Sequence, residues 1–275
     1  MFTTQRIGIW SEPARFTVAA ERTIAYAEAT NDPLAPHLDG TQAPPVFAVV
    51  PGFDVMAGQT LAAAPEDAAG RILHGRHDLY ISRPIVPGDV LSTRAQVVGV
   101  HGRSSGVVVT TLVETEDAAG EPVNEQYFTG FFRGVRHEGD AGRTTPEVPA
   151  AGTGGEPLAD VVQKIDRDQT HRYADASGDR MPVHLDDDFA RGAGLPGIIV
   201  HGLCTMAFAS HALITRTTGE PSRLRRLAVR FSAPARPGQE ITTTVRHAGP
   251  NAFSFDTVDD RGVQVLSSGR AEFAD

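Results

Sequence analysis

The sequence predicts an α+β protein that contains two copies of one unit. Three observations support this prediction: a 14-residue segment occurs twice, each copy is followed by several strand-like segments, and a stretch rich in Gly, Pro and Thr separates the copies. A repeat period of this length indicates two domains and not a solenoid of short repeats. The 275 residues are also enough for about two domains.

The repeated segment reads YAEATNDPLAPHLD at residues 26–39 and YADASGDRMPVHLD at residues 173–186. The copies align without a gap at a separation of 147 residues, and seven of the 14 positions are identical. The stretch between the two units lacks apolar periodicity and is typical of a linker. The predicted boundaries are an N-terminal unit at 1–136, a linker at 137–158 and a C-terminal unit at 159–275.

In the C-terminal unit the first predicted elements are a strand at 159–165 and a helix. Asp166 and Gln169 have the spacing of an N-cap and its N3 partner, and Gly178 can end that helix. A second helix at 200–217 is apolar on nearly every face, which predicts a buried helix. Turn residues separate the remaining predicted strands, which are 224–233, 240–247, 252–258 and 264–273.

The N-terminal unit repeats this order, with predicted strands at 72–86, 89–101, 106–116 and 122–135. Packing of the strands around a central helix is an α+β arrangement, and two such units could share one continuous sheet. His74 and His77 are three residues apart on the first of these strands. We therefore expect them on opposite faces, with no metal site between them.

The composition excludes several classes of protein. The chain has 25 Lys and Arg against 34 Asp and Glu, a net charge of −9, which disfavours a general nucleic-acid binder. No segment has the roughly 20 apolar residues of a membrane span, and the N-terminus lacks the apolar core of a secretory signal. Cys204 is the only cysteine, so an intrachain disulfide and a Cys-based zinc site are excluded. We expect a cytoplasmic protein without nucleic-acid or membrane partners.

Asp179 and His184 are the first candidate site residues. They are five positions apart, a spacing that brings two side chains together neither on a helix nor on a strand. Gly178 and Pro182 favour a loop, in which the two side chains can converge. With reference pKa values of roughly 3.9 and 6.5, a carboxylate and an imidazole can act as an acid–base pair near neutral pH. A solvent-exposed turn is the alternative for Asp and His at this spacing.

His201 and Gly202 stand at the start of the predicted buried helix. The N–H of Gly202 therefore has no acceptor within the helix. A free N–H at the positive end of the helix dipole suits an oxyanion that develops during a reaction.

The segment YADASGDRMPVHLDDDFARGAGLPGIIVHGLCTMA at 173–207 resembles the signature of the MaoC-like, (R)-specific enoyl-CoA hydratase family, also called hydratase 2. The family pattern is approximately Y-A-x-x-S-G-D-x-N-P-x-H, followed by I-x-H-G. Because both units have the same order of helices and strands, the resemblance extends to the whole chain. It implies a double hot-dog protein, in which a sheet wraps around a central helix in each unit. It implies reversible hydration of trans-2-enoyl thioesters to (R)-3-hydroxyacyl thioesters.

The resemblance implies a role for each matching residue. Asp179 and His184 fall on the catalytic pair, which holds the water that adds at C3 and moves a proton to C2. Gly202 falls on the glycine whose N–H polarises the thioester carbonyl, and His201 beside it is assigned to substrate binding. Ser210 falls on a small polar position near the site; a core hydroxyl bonded to a backbone carbonyl is the alternative.

Two features depart from the family pattern. Met181 replaces the usual Asn, which puts full activity or the usual substrate in question. The first copy keeps Asp32 and His37 at the same spacing as the second pair, but Pro51-Gly52 replaces the His-Gly pair. In double hot-dog relatives the first half is typically inactive and admits the acyl chain, so we interpret Asp32 and His37 as a vestigial site.

Arg226 and Arg230 are candidates for binding the phosphates of coenzyme A. They share a face of one predicted strand, and guanidinium groups bind phosphate well. A solvated strand face is the alternative for each of them. The sequence contains no P-loop and no dinucleotide-binding fingerprint, so we expect no cofactor other than the coenzyme A of the substrate.

The resulting hypothesis is a hydro-lyase that acts on a thioester of coenzyme A or acyl carrier protein. The alternatives are a hot-dog thioesterase and a non-catalytic partner subunit. The thioesterase needs a carboxylate on the central helix, and residues 200–217 contain no Asp or Glu. The sequence leaves open the acyl chain length, the carrier and whether the chain forms a homodimer.

Overall fold

The computed structural model describes residues 1–148 and 156–275. Its strands are β1 (Ala14–Thr17), β2 (Ile72–Ile81), β3 (Val90–Arg103), β4 (Gly106–Glu116), β5 (Pro122–Arg133), β6 (Asp140–Gly142), β7 (Ala159–Lys164), β8 (Leu224–Phe231), β9 (Glu240–Gly249), β10 (Ala252–Asp259) and β11 (Gln264–Phe273). The α-helices are α1 (Ala20–Ala29), α2 (Ala35–Leu38), α3 (Phe53–Ala62), α4 (Gln169–Ser177), α5 (Asp187–Gly192) and α6 (Gly202–Arg216). Short 3-10 helices lie at Pro45–Val49, Glu66–Arg71, Pro182–His184 and Pro221–Arg223.

The strands form one continuous antiparallel sheet in the order β1-β3-β4-β5-β2-β8-β11-β10-β9-β7, and β6 pairs with β3. The first five strands of this order come from the N-terminal unit and the last five from the C-terminal unit. Antiparallel pairing of β2 with β8 joins the two halves, from Arg76 opposite Arg230 to Tyr80 opposite Arg226. The units therefore share one sheet, and α1 of the first unit packs on α4 of the second.

In the C-terminal unit, α6 is buried continuously from Leu203 to Ile214, as its apolar sequence predicts. The helix predicted to open at Asp166 begins at Gln169 instead. The N–H of Asp166 does donate to Gln169 Oε1 at 3.0 Å, which is half of a capping box. The Asp166 carboxylate is bound by Arg172 and Asn31, so it does not cap the helix.

In the N-terminal unit the central segment is divided. The 3-10 helix Pro45–Val49 is buried from its second residue, but in α3 only Met56 and Thr60 are buried. Prolines before and after the 3-10 helix interrupt the helical path, and α3 packs on β3 and β4. This unit thus differs from the expectation of a central buried helix in each half.

The prediction that His74 and His77 face opposite sides of the sheet is wrong. The pairing of β2 with β5 shifts register between His74 and Arg76, which leaves Gly75 as an extra residue. Such a bulge reverses the alternation of side chains, and the two imidazole rings lie 5.2 Å apart. Burial lowers the pKa of His77 to about 4 and that of His74 well below its usual value, so both are neutral at pH 7.

The linker predicted at 137–158 is not entirely irregular, because β6 lies within it and extends the sheet. The carbonyl groups of Pro146 and Glu147 accept hydrogen bonds from Arg76 and Arg226. Residues 149–155 lie outside the described part of the chain. Within the described ranges, every helix is too short or too polar to cross a lipid bilayer.

Candidate active site

Asp179 follows α4 directly, at a sharp reversal of the chain. Gly178 ends the helix with φ of +86°, a conformation that glycine adopts without strain. The N–H of Asp179 donates to Ser177 Oγ at 3.2 Å, and its Oδ1 accepts from the N–H of Met181 at 3.2 Å. Met181 therefore organises the loop through its backbone, while its side chain is exposed.

His184 ends the 3-10 helix that follows, and a hydrogen bond to a backbone carbonyl fixes its ring. Its Nδ1 lies 2.8 Å from the carbonyl oxygen of Ile199. A carbonyl oxygen can only accept, so Nδ1 carries the proton and Nε2 keeps its lone pair. Burial lowers the pKa of His184, although the nearby Asp179 carboxylate opposes this shift. Because burial is the larger effect, the ring is neutral at neutral pH. Burial raises the pKa of Asp179, and the interaction with His184 and the hydrogen bond from the N–H of Met181 oppose that shift.

His201 holds these two residues in place. It is 1% exposed, and its Nε2–H donates to the backbone carbonyl oxygen of Asp179 at 3.0 Å. Its ring stacks on that of His184 with centroids 3.7 Å apart and packs on the ring of Tyr173 at 4.8 Å. Burial lowers the pKa of His201 to about 3, so this ring is also neutral.

Gly202 is the first residue of α6, and its N–H has no acceptor within the helix. A Cβ at this position would lie 3.0 Å from Cδ1 of Phe231, so the aromatic ring packs directly against the glycine. Phe231 packs in turn on His74, with ring centroids 4.4 Å apart. Sequence reasoning missed Phe231 and His74 as neighbours of the site, because only the pairing of β2 with β8 brings them there.

The structure therefore brings together the residues that the sequence singled out. One ligand-type atom from each of Asp179, His184 and His201 lies within 4.8 Å of the others, and Gly202 follows His201 directly. The arrangement combines a carboxylate, an imidazole with a free lone pair and a backbone donor. Such a set can move protons and stabilise a developing negative charge.

Ser210 lies two turns further along α6 and is 2% exposed. Its Oγ is buried without a hydrogen-bond partner in the described part of the chain. The backbone hydrogen bond considered as an alternative is therefore not formed. A substrate-facing role for this hydroxyl stays a prediction.

The prediction that Arg226 binds phosphate is wrong. Its guanidinium binds both carboxylate oxygens of Asp78, at 3.1 and 2.8 Å, and lies 4.8 Å above the ring of Tyr80. Arg226 and Asp78 are both buried, so this guanidinium is held within the sheet. Arg230, on the same strand, is exposed and remains a candidate for phosphate binding.

Asp32 and His37 of the first unit form a closed pair. His37 Nδ1 donates to Asp32 Oδ2 at 2.8 Å, and the other carboxylate oxygen accepts from the N–H of Leu34 at 2.9 Å. His37 is fully buried and Asp32 is 5% exposed. In the second unit, by contrast, His184 directs its Nδ1–H to the backbone carbonyl of Ile199 and not to Asp179, so that bond leaves the Nε2 lone pair unused. The two pairs have equal spacing but different arrangements.

Comparison with known proteins identifies the family. Residues 150–267 match the family described as MaoC like domain, and residues 36–134 match the MFE-2 hydratase 2 N-terminal domain. The chain is 30% identical over 219 residues to "3-hydroxyacyl-thioester dehydratase Y" of Mycobacterium tuberculosis, covering 76% of this chain and 74% of that protein. The chain belongs to the MaoC-like dehydratase family.

Other members of the MaoC-like dehydratase family agree with this assignment. "Probable enoyl-CoA hydratase 2" of Dictyostelium discoideum is 29% identical over 205 residues, which are 73% of this chain and 69% of that protein. The crystal structure of a MaoC-like dehydratase from Phytophthora capsici superposes with a TM-score of 0.84 at 26% identity, over 96% of both chains. A Mycobacterium tuberculosis protein whose crystal structure is described as a double hotdog fold superposes with a TM-score of 0.62 over 97% of this chain and 95% of that chain, which confirms the double hot-dog fold predicted from the sequence.

Proposed function

We propose that this MaoC-like protein is an (R)-specific enoyl-CoA hydratase, which in reverse is a 3-hydroxyacyl-thioester dehydratase. The observation that carries the proposal is the convergence of Asp179, the free nitrogen of His184 and the N–H of Gly202 at one end of α6. The named relatives support this reaction type, since their names describe a hydratase and a dehydratase of thioesters.

The reaction needs water to add across the C2=C3 bond of an enoyl thioester. The N–H of Gly202 donates to the thioester carbonyl, whose oxygen gains negative charge as the new C3–O bond forms. Asp179 and His184 accept hydrogen bonds from the water and remove one of its protons. A proton from the same pair is delivered to C2, which completes the 3-hydroxyacyl product and restores the pair.

We also propose that the two units have different roles: the second unit carries the catalytic residues and the first unit binds the acyl chain. The central segment of the first unit is interrupted and α3 lies largely at the surface, and we assign the acyl chain to this half. The closed Asp32–His37 pair supports a vestigial site. Acid–base groups and a backbone donor suffice for this chemistry, so the proposed enzyme uses no cofactor beyond the coenzyme A of its substrate.

Incubation of the purified protein with crotonyl-CoA tests the reaction type. We expect the conjugated enoyl absorbance to fall, with formation of (R)-3-hydroxybutyryl-CoA identified by chiral chromatography and without release of free thiol. Release of coenzyme A would identify a thioesterase instead. No turnover of crotonyl-CoA, of longer enoyl-CoA substrates or of enoyl thioesters of acyl carrier protein would contradict the proposal.

A further inference from the structure

Three rings from different elements pack together at the candidate active site. The ring of His201, which directly precedes α6, lies 3.7 Å from that of His184 and 4.8 Å from that of Tyr173, measured between centroids. The planes of His201 and His184 are only 25° from parallel, which is a stacked arrangement. His184 therefore lies on the face of the His201 ring.

The edge of His201 makes a separate contact. Its Nε2–H donates to the backbone carbonyl oxygen of Asp179 at 3.0 Å, which holds the ring in place. The residue is 1% exposed, so the ring has almost no surface open to solvent. We therefore assign its effect on the reaction to the residues that it contacts.

The stacked contact matters because His184 carries a positive charge during the proposed reaction. As the C3–O bond forms, an O–H bond of the water breaks and its proton moves to Nε2 of His184; the proton then leaves for C2, and the ring is neutral again. Burial makes the charged form of His184 costly and lowers its pKa. The titratable groups that face His184 are the Asp179 carboxylate and the ring of His201.

His201 suits contact with an imidazolium because it remains neutral itself. Burial lowers the pKa of His201 to about 3, so no second positive charge forms beside His184 near neutral pH. The π electrons give the face of an aromatic ring a partial negative charge. A cation within about 6 Å of the ring centroid is attracted to that face, most strongly where water is excluded.

We propose that His201 is a positioning residue that acts through His184, because the face of its ring stabilises the imidazolium form of His184. The N–H of His201 has the separate role of holding the backbone of Asp179. The part played in the reaction rests on the proposed function, in which His184 takes a proton from water. The effect of the ring on the proton affinity of His184 exists without substrate and is tested without it.

NMR titration of ¹⁵N-labelled histidine side chains in the folded protein measures the pKa of His184 directly. The variant His184→Gln identifies its signals among those of the ten histidines. His201→Gln removes the ring and keeps an amide that can donate to the Asp179 carbonyl, whereas His201→Phe keeps an aromatic face and removes the donor. We expect the pKa of His184 to fall by about one pH unit in His201→Gln and by less than half as much in His201→Phe.

His171→Gln is the matched control, because His171 is an exposed histidine on α4 and its loss leaves the pKa of His184 unchanged. An unchanged pKa in folded His201→Gln would overturn the inference. An equal fall in His201→Gln and His201→Phe would also overturn it, since the hydrogen bond and not the ring face would then be responsible. Melting temperatures show which variants are folded, and His201→Asn, which also lacks the ring, replaces a His201→Gln that does not fold.

The pH dependence of kcat/KM for crotonyl-CoA hydration tests the part played in the reaction. We expect its acidic limb to move to lower pH in His201→Gln by the same amount as the pKa of His184, because that limb reports the base of the free enzyme. A merely structural defect lowers the rate at every pH and leaves the limb in place. An unmoved limb together with a lower pKa of His184 would overturn the role in the reaction. Absence of hydration by the unmodified protein would instead overturn the proposed function, and the NMR titration would still decide whether the ring face acts on His184.

Discussion

The hydroxyl groups of Tyr26 and Tyr173 share a hydrogen bond at 3.2 Å, although the two residues are 147 positions apart in the chain. They are the first residues of the two repeat copies, and they meet where α1 packs on α4. Their rings lie 5.5 Å apart, and burial raises the pKa of both hydroxyls. Contact between equivalent residues is the signature of a two-fold interface, so the units are paired as two subunits of a dimer would be.

This hydrogen bond predicts a non-additive response to mutation. Tyr26→Phe leaves the buried hydroxyl of Tyr173 without its partner, which we expect to lower the free energy of unfolding by about 1–3 kcal/mol. Replacing both tyrosines by phenylalanine removes the unpaired group, so the double variant is destabilised by less than the sum of the single ones. Urea unfolding of the four proteins measures this, and additive losses would contradict the pairing.

The ion pair of Arg226 with Asp78 predicts a large effect on stability at the junction of β2 and β8. Arg226→Met leaves the buried Asp78 carboxylate with only Arg76, at 3.3 Å, and the hydroxyl of Tyr80, at 3.4 Å, and we expect a loss of about 3 kcal/mol in the free energy of unfolding. Arg230→Met is the matched control on the same strand, with an expected change within about 0.5 kcal/mol because Arg230 is exposed. Similar losses in both variants would show that the buried pair does not stabilise the junction.

Close packing of Phe231 on Gly202 predicts that Gly202→Ala impairs catalysis without removing the N–H. The new methyl group must displace either the aromatic ring or the start of α6, and misplacement of a catalytic group by about 1 Å can cost on the order of 10²-fold in rate. Steady-state kinetics with an enoyl-CoA measures the loss. The double variant Gly202→Ala/Phe231→Leu frees space and should recover part of it; equal rates in the single and double variants would argue against the steric cause.

His77 predicts a loss of stability in mild acid. Its pKa is about 4 in the folded protein because of burial, against about 6.5 in the unfolded chain. Below pH 6.5 the unfolded chain therefore binds more protons, and stability falls with pH until the folded pKa is reached. The contribution is up to roughly 3 kcal/mol at pH 4.

The variant His77→Gln isolates this contribution, because glutamine does not titrate. In the unmodified protein Gln126 Oε1 accepts a hydrogen bond from His77 Nε2 at 3.1 Å, and the amide of the new glutamine can donate to the same oxygen. Denaturant unfolding at pH 7.5 and pH 5 gives the comparison. We expect the variant to lose less stability than the unmodified protein between the two pH values. Parallel pH dependence of the two proteins would contradict a depressed pKa for His77.

Local sequence features predicted much of the fold and of the site. The 147-residue repeat gave two units, the unbroken apolar pattern gave α6, and the Gly178 and Pro182 positions gave the loop in which Asp179 and His184 converge. What the sequence did not show depends on pairing between distant segments. The register of β2 against β8 gives Arg226 its partner Asp78, and the bulge at Gly75 places His74 and His77 on one side. Neither feature has a local signal.

The start of α4 shows a second limit of local reasoning. Asp166 has the spacing of an N-cap, but Arg172 and Asn31 bind its carboxylate, and Asn31 belongs to the other unit. The N-cap is Asp168, so the helix begins two residues later than the spacing predicts, and part of the competition for Asp166 comes from the other unit. Association of the two units also brings Tyr26 to Tyr173, so the interface between the units decides details that each unit's sequence leaves open.

Hydration rates of the two matched variants Asp179→Asn and Asp32→Asn test the central claim most directly. The substitutions are isosteric and occupy equivalent positions of the repeat, and each is compared with the unmodified protein under the same crotonyl-CoA assay, with melting temperature as the check on folding. We expect Asp179→Asn to lose at least about 10²-fold in kcat and a folded Asp32→Asn to keep most of its activity. Equal loss of activity in two folded variants, or full activity in Asp179→Asn, would contradict a single catalytic site in the second unit.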